Sequence, residues 1–115
     1  MTNGHKKGDR GELELSHYLE SKGHPSHRSQ QFCGRGENAS DVITKSLPVH
    51  WECKRVEALS LYPAMAQAIR DADEGKIPVV AHRRNHKDWL AILRLEDFIK
   101  LFPAPPAKEE GDDKL

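Results

Sequence analysis

Asp41, Glu52 and Lys54 are the side chains of this sequence best suited to chemistry. Glu52 and Lys54 stand two residues apart, so on a strand they share one face, while Trp51, Cys53 and Arg55 take the other. Asp41 opens a β-rich stretch, residues 41–44, which only residues 45–48 separate from a second, residues 49–56. An antiparallel hairpin of the two brings the Asp41 carboxylate to the same end of the same face. Two carboxylates offer hard oxygen ligands to Mg²⁺, which takes one or two protein carboxylates and keeps several waters. An ion held this way polarises a phosphate ester and lowers the pKa of a bound water, and a neighbouring lysine orients that water or stabilises transition-state charge. Taken alone the acid-x-lysine pair is a weak signal, because it is also what a cross-face ion pair on a solvated sheet looks like.

A third acid comes from the first predicted helix, residues 8–22, where Glu12 and Glu14 lie about 200° apart on a helix of 3.6 residues per turn. Glu12 falls on the row of Leu15 and Leu19, which faces the sheet, whereas Glu14 falls near Tyr18 on the solvated flank. Glu12 therefore joins the candidate site. The metal-contacting set is Glu12, Asp41, Glu52 and the intervening Cys53, whose side chain is expected in the core.

The elements that must position these groups follow from pattern and punctuation. Gly23 closes the first helix at a C′ position. Residues 28–40 are polar and glycine-bearing, a long loop after a candidate short strand, and loops of that length are often functional. Ser60 is a candidate N-cap for a second helix over residues 61–74, with Leu61, Met65, Ile69 and Ala72 on its apolar face and Gly75 as its stop. Residues 77–82 and 89–95 read as strands flanking a basic turn (Arg83, Arg84, Asn85, His86, Lys87), and residues 96–102 as a short last helix. The expected order is αββαββα, an α/β domain over residues 8–102 with a central mixed sheet flanked by helices. Residues 1–7 are expected to be a flexible basic arm and residues 103–115 a disordered proline-rich, acidic tail.

Length and composition set the outer limits. The 115 residues suit one domain, and no apolar run approaches the roughly 18 residues of a membrane span, so a soluble, cytoplasmic protein is expected. Cys33 and Cys53 are too few for a disulfide framework and are read as free thiols. The 18 basic and 18 acidic residues cancel, which at first disfavours a nucleic-acid partner. Residues 96–115, however, hold six acids and three lysines, so residues 1–95 keep fifteen basic against twelve acidic groups. Cations bound by some of those acids would make the same face more positive still.

These residues together resemble the PD-(D/E)xK nuclease superfamily, with Ser40-Asp41 (serine in place of the usual proline) followed by Glu52-Cys53-Lys54. Within it the chain is similar to the archaeal-type Holliday-junction resolvases over nearly all of residues 8–95. The likeness runs through Gly8-x-x-x-Glu12, Leu19, Gly23, Arg28 five residues after that glycine, Asp41-Val42, Glu52-Cys53-Lys54, and a Pro78-Val79-Val80-Ala81 strand followed by Trp89. Two positions depart from the pattern. Phe32 stands where a serine is usual, with Ser29 the nearest substitute, and Leu13 stands where an arginine is frequent. Both bear on the junction specificity more than on the nuclease chemistry.

The resemblance implies a restriction-endonuclease-like core, Mg²⁺ (with Mn²⁺ substituting), Glu12, Asp41, Glu52 and Lys54 as catalytic residues, and Arg28 on phosphate. It also implies a homodimer that nicks two opposed strands of a four-way DNA junction in recombination or repair, often in a phage or mobile element. Two alternatives stay open: another nuclease of the same fold, restriction-like or repair, acting on duplex, flap or mismatch DNA, and a catalytically inactive junction-binding subunit. Lys6, Lys7, Arg10, Arg35 and Arg55 are further candidate DNA contacts, against the plain reading of solubilising surface charge. Gln67, opposite the apolar face of the second helix, is expected at the surface. His24, His27, His50, His82 and His86 fit no closed zinc site with the cysteines. Trp51 and Trp89 are expected to anchor the core, with stacking on unpaired bases as the alternative.

Overall fold

The computed structural model describes the main chain of residues 2–29 and 40–106, and the side chains of residues 10–29 and 40–106. Most of the predicted loop, with Phe32, Cys33 and Arg35, lies outside the described residues, as do residues 107–115 and the side chains of Lys6 and Lys7.

The described residues form an α/β fold, with three helices and one five-stranded mixed sheet. The elements are α1 (Thr2–Ser21), β1 (His27–Arg28), β2 (Val42–Ile43), β3 (Val49–Lys54), α2 (Leu61–Asp71), β4 (Ile77–His82), β5 (Leu90–Ile92) and α3 (Leu95–Lys100). The strands lie side by side in chain order, and every neighbouring pair is antiparallel except β3 and β4. That parallel pair needs a crossover, and α2 supplies it.

α1 starts at Thr2, six residues before the predicted helix start, so residues 2–7 are helical. Once the amphipathic part of a helix has nucleated, each added residue gains a hydrogen bond, and no proline stands in the way. Its C-terminus behaves as the glycine indicates. Gly23 has φ +96°, with Gly23 N–H donating to Glu20 O and His24 N–H to Leu19 O, the paired bonds of a Schellman cap.

The sheet is covered on both sides. Leu15 and Leu19 of α1 pack with Val42, Trp51, Val79 and Ala81 on one face, joined by Cys53 and Trp89. Ala64 and Ala68 of α2 pack with Val80 on the other. The second helix is thus turned from its predicted orientation: Ile69 is exposed, and two alanines with Met65 at their flank, rather than the full Leu61-Met65-Ile69 row, meet the sheet. Small residues let the helix axis approach a strand that already carries branched side chains. α2 also ends three residues earlier than predicted, and Ser60 precedes it without a side-chain capping bond. Among the described residues no helix is long and apolar enough to cross a membrane.

α1 sits close enough to β3 that one glycine is required. A Cβ on Gly11 would fall 2.5 Å from Arg55 Cβ and 3.7 Å from Cys53 Sγ. A Cβ to Cβ collision cannot be relieved by rotating a side chain. Alanine is the better helix former by up to ~1 kcal/mol, yet Gly11→Ala should lower stability by about 1–3 kcal/mol through overpacking. A urea midpoint at or above that of the wild type would show that α1 does not approach β3 this closely.

Candidate functional site

The predicted residues meet where β2 leaves β3. Asp41 stands one residue before β2, and its main chain already belongs to the sheet: its N–H donates to Trp51 O and its carbonyl accepts from Ser29 N–H. Its side-chain Oδ2 accepts a 2.7 Å hydrogen bond from the Cys53 N–H, which ties the carboxylate to the middle of β3. Ser40 completes the clamp. Its hydroxyl accepts from Trp51 N–H at 2.9 Å and donates to Val42 O at 2.8 Å. A proline at this position could make neither bond, so the serine that departs from the motif has a structural task that the sequence did not disclose.

Glu52 is 3% exposed and lies on the α2 side of the sheet with His50 and Lys54, as strand alternation requires. Lys54 Nζ is 3.7 Å from Glu52 Oε2 and donates to Gln67 Oε1 at 3.4 Å. Gln67 was expected at the surface. The rotation of α2 that buries Ala64 and Ala68 instead carries it to the lysine. His50, equally buried, sets its Nε2 3.8 Å from Glu52 Oε1, too far for a hydrogen bond, and that nitrogen has no partner. Sequence reading weighed His50 only as a zinc ligand. The available signal was its place two residues before Glu52 on the same face.

On the other flank, Glu12 turns inward as predicted, and Arg28 Nε donates to its Oε1 at 3.2 Å. Arg28, expected on phosphate, is thus in an ion pair with the helix acid, and both remain about a quarter to a third exposed. Glu14 does not behave as a solvated acid. Its Oε1 accepts from Arg55 Nε at 2.8 Å and from Arg83 at 3.1 Å, so Arg55, a candidate DNA contact, is paired with α1. Arg10 is exposed, and Ser29 lies beside Asp41 through the main chain.

Electrostatics mark out Asp41. Burial, then Glu52 and Glu12, push its carboxyl up to about 7, against the opposing pull of the Cys53 N–H and of Lys54. Glu12 and Glu52, from opposite sides of the sheet, thus both act on Asp41. The Cys53 thiol is held far above its ordinary range by burial first and then by Asp41 and Glu12. Its sulfur faces Gly11 on α1, so the part Cys53 plays at the site is its main-chain N–H and not a thiolate ligand.

Among the described residues no three His, Cys, Asp or Glu side chains converge as a ready-made metal cage. The donors that are present suit a less enclosed ion. Two coupled carboxylates and one raised pKa describe a site short of positive charge, and Mg²⁺ is held by one or two carboxylates with water completing its shell. Comparison with protein-family models, with curated proteins and with solved structures gave no match.

Proposed function

We propose that the chain is a Mg²⁺-dependent DNA endonuclease with a restriction-endonuclease-like core, acting on branched DNA as a Holliday-junction resolvase. The observation that carries this reading is the placement of Asp41, which the Cys53 N–H ties to β3 next to Glu52 and Lys54 and whose carboxyl is raised by burial first and then by Glu52 and Glu12. Asp41 and Glu52 would hold the ion, and Glu12 would reach it through water. The bound ion supplies Lewis acidity at the phosphate and an acidified water. Lys54, kept in place by Glu52 and Gln67, orients the attacking water and stabilises charge on the phosphate oxygens. Arg28 exchanges Glu12 for a phosphate when DNA arrives, since a guanidinium pairs bidentately with either.

Paired nicks on a symmetric junction suit a two-fold dimer. The apolar surface on hand for self-association is α3 and the residues after it, where Leu95, Phe98, Ile99, Leu101 and Phe102 are all exposed.

The direct test is cleavage of four-way junction, flap and linear duplex DNA side by side, in Mg²⁺ and in EDTA. Symmetric nicks on the junction in Mg²⁺ alone support the full reading. Cuts confined to duplex or flap would move the chain to another nuclease of the same fold, and no cleavage of any substrate would leave a junction-binding subunit. Within this scheme Gln67→Ala should slow turnover by about tenfold, the worth of a hydrogen bond to a charged group, with DNA affinity in Ca²⁺ unchanged. Single-turnover rates check it, and an unaltered rate would return Gln67 to a surface role.

A further inference from the structure

The basic turn after β4 is bonded directly to the site, because Arg83 N–H donates to Lys54 O at 3.2 Å. On the α1 side of that turn lies an open cleft of about 400 Å³. His17 and Tyr18 from α1 and Trp89 from the approach to β5 contribute its aromatic lining. Arg83 and Lys87 contribute cations. Glu14, at its inner side, is already matched by Arg55 and Arg83, which leaves Asp88 as the other acid present. Tyr18 is 41% exposed, and Lys22 Nζ lies 5.4 Å from its ring centroid.

We propose that this cleft receives one unpaired nucleotide of the DNA substrate, its base against Tyr18 and Trp89 and its phosphate near Lys87. The inference rests on the reading of the chain as a nuclease of branched DNA and adds a means of recognising the branch. The chemistry selects this occupant. Aromatic faces interleaved with cations are how proteins hold single-stranded nucleotides, and stacking is tolerant of base identity. The volume lies at the small end of the ~300–1,000 Å³ range of ligand sites, which admits a nucleotide and not a segment of duplex. A base pair inside a duplex is stacked on both sides, whereas one at a branch point has lost a neighbour and opens more readily, so a cleft on the turn bonded to the Lys54 carbonyl favours cutting near the branch. Trp89 both anchors the core and lines the cleft, so the two uses considered for it are compatible.

The experiment uses the full chain in Ca²⁺, where binding is read without cleavage, and a four-way junction carrying 2-aminopurine at the branch point. A change in 2-aminopurine fluorescence on binding, absent when the label sits mid-arm, is the expected result. Tyr18→Ala should abolish that change and weaken junction affinity by about tenfold, within the worth of one stacked base, while affinity for linear duplex holds. Tyr18→Phe, which keeps the ring, should behave as wild type. Lys87→Ala should weaken binding of the junction and leave that of linear duplex unchanged, because the phosphate it meets belongs to the nucleotide in the cleft. Normal junction binding with a silent label, or Tyr18→Ala binding both DNAs as wild type does, would overturn the cleft assignment and leave the nuclease reading standing. Absence of any DNA binding would overturn both.

Discussion

Glu52→Gln should abolish cleavage of a synthetic four-way junction in Mg²⁺ while leaving junction affinity in Ca²⁺ within about threefold of the wild type, since phosphate contacts carry most of DNA affinity. The substitution is close to isosteric, and the site tolerates it structurally: Glu52 has Lys54 Nζ at 3.7 Å and His50 Nε2 at 3.8 Å, and an amide oxygen can face either. What is lost is charge. In the proposed mechanism, removing one of two carboxylates would weaken the hold on the ion, and it frees Lys54 from the acid 3.7 Å from its ammonium. Loss of preorganised electrostatic stabilisation at a single group costs about 10²–10³ in turnover, and loss of the ion's own contribution adds to it. The expected drop is therefore at least ~10³-fold. Single-turnover cleavage with a binding isotherm on the same preparation gives both numbers. Wild-type turnover by this variant would remove Glu52, and with it the metal mechanism, from the account.

The part of this site that depends on local periodicity was legible in the sequence, and the part that depends on long-range pairing was not. Alternation along β3 is enough to put Glu52 and Lys54 on one face and Cys53 on the other, and the helical row of Leu15 and Leu19 is enough to turn Glu12 inward. The hairpin of β2 on β3 and the stop at Gly23 follow from equally local signals. By contrast, Glu14 meets Arg55 across 41 residues and Arg83 across 69, and nothing in a helical wheel announces either. Arg28 likewise finds Glu12 sixteen residues away. The orientation of α2 was misjudged for a different reason. Hydropathy gives weight to Leu61, Met65 and Ile69, but the surface beneath α2 is already filled by Val80, and close approach selects Ala64 and Ala68. Gln67 moves with them, which is how a side chain assigned to solvent reaches Lys54.

The burial and the neighbouring carboxylates that raise the Asp41 carboxyl should destabilise the protein when no cation is bound, and Asp41→Asn measures this independently of any substrate. The Asp41 carboxyl titrates near 7 in the folded chain, against 3.8 for an unperturbed group. Between those values the folded protein holds a proton that the unfolded chain has released, so stability in EDTA must fall as pH rises from about 4 to about 7 and level off above. Asparagine removes the titrating group while its Oδ1 can still accept the Cys53 N–H bond that Asp41 Oδ2 now accepts. The gain over wild type should be absent near pH 4 and greatest at pH 8. A change of only ~1 kcal/mol shifts Tm by about 4–8 °C in a domain of this size, so the difference is within easy reach of a thermal melt. Mg²⁺ should then raise the Tm of the wild type at pH 8, because an ion that binds only the folded state stabilises it, and should leave Asp41→Asn nearly unmoved. Turnover should move the opposite way, with the more stable variant inactive, as happens when a functional site keeps like charges together at the expense of stability. A wild-type Tm that is flat from pH 5 to 8 in EDTA, or an equal response of both proteins to Mg²⁺, would show that Asp41 is not the residue on which the charges converge.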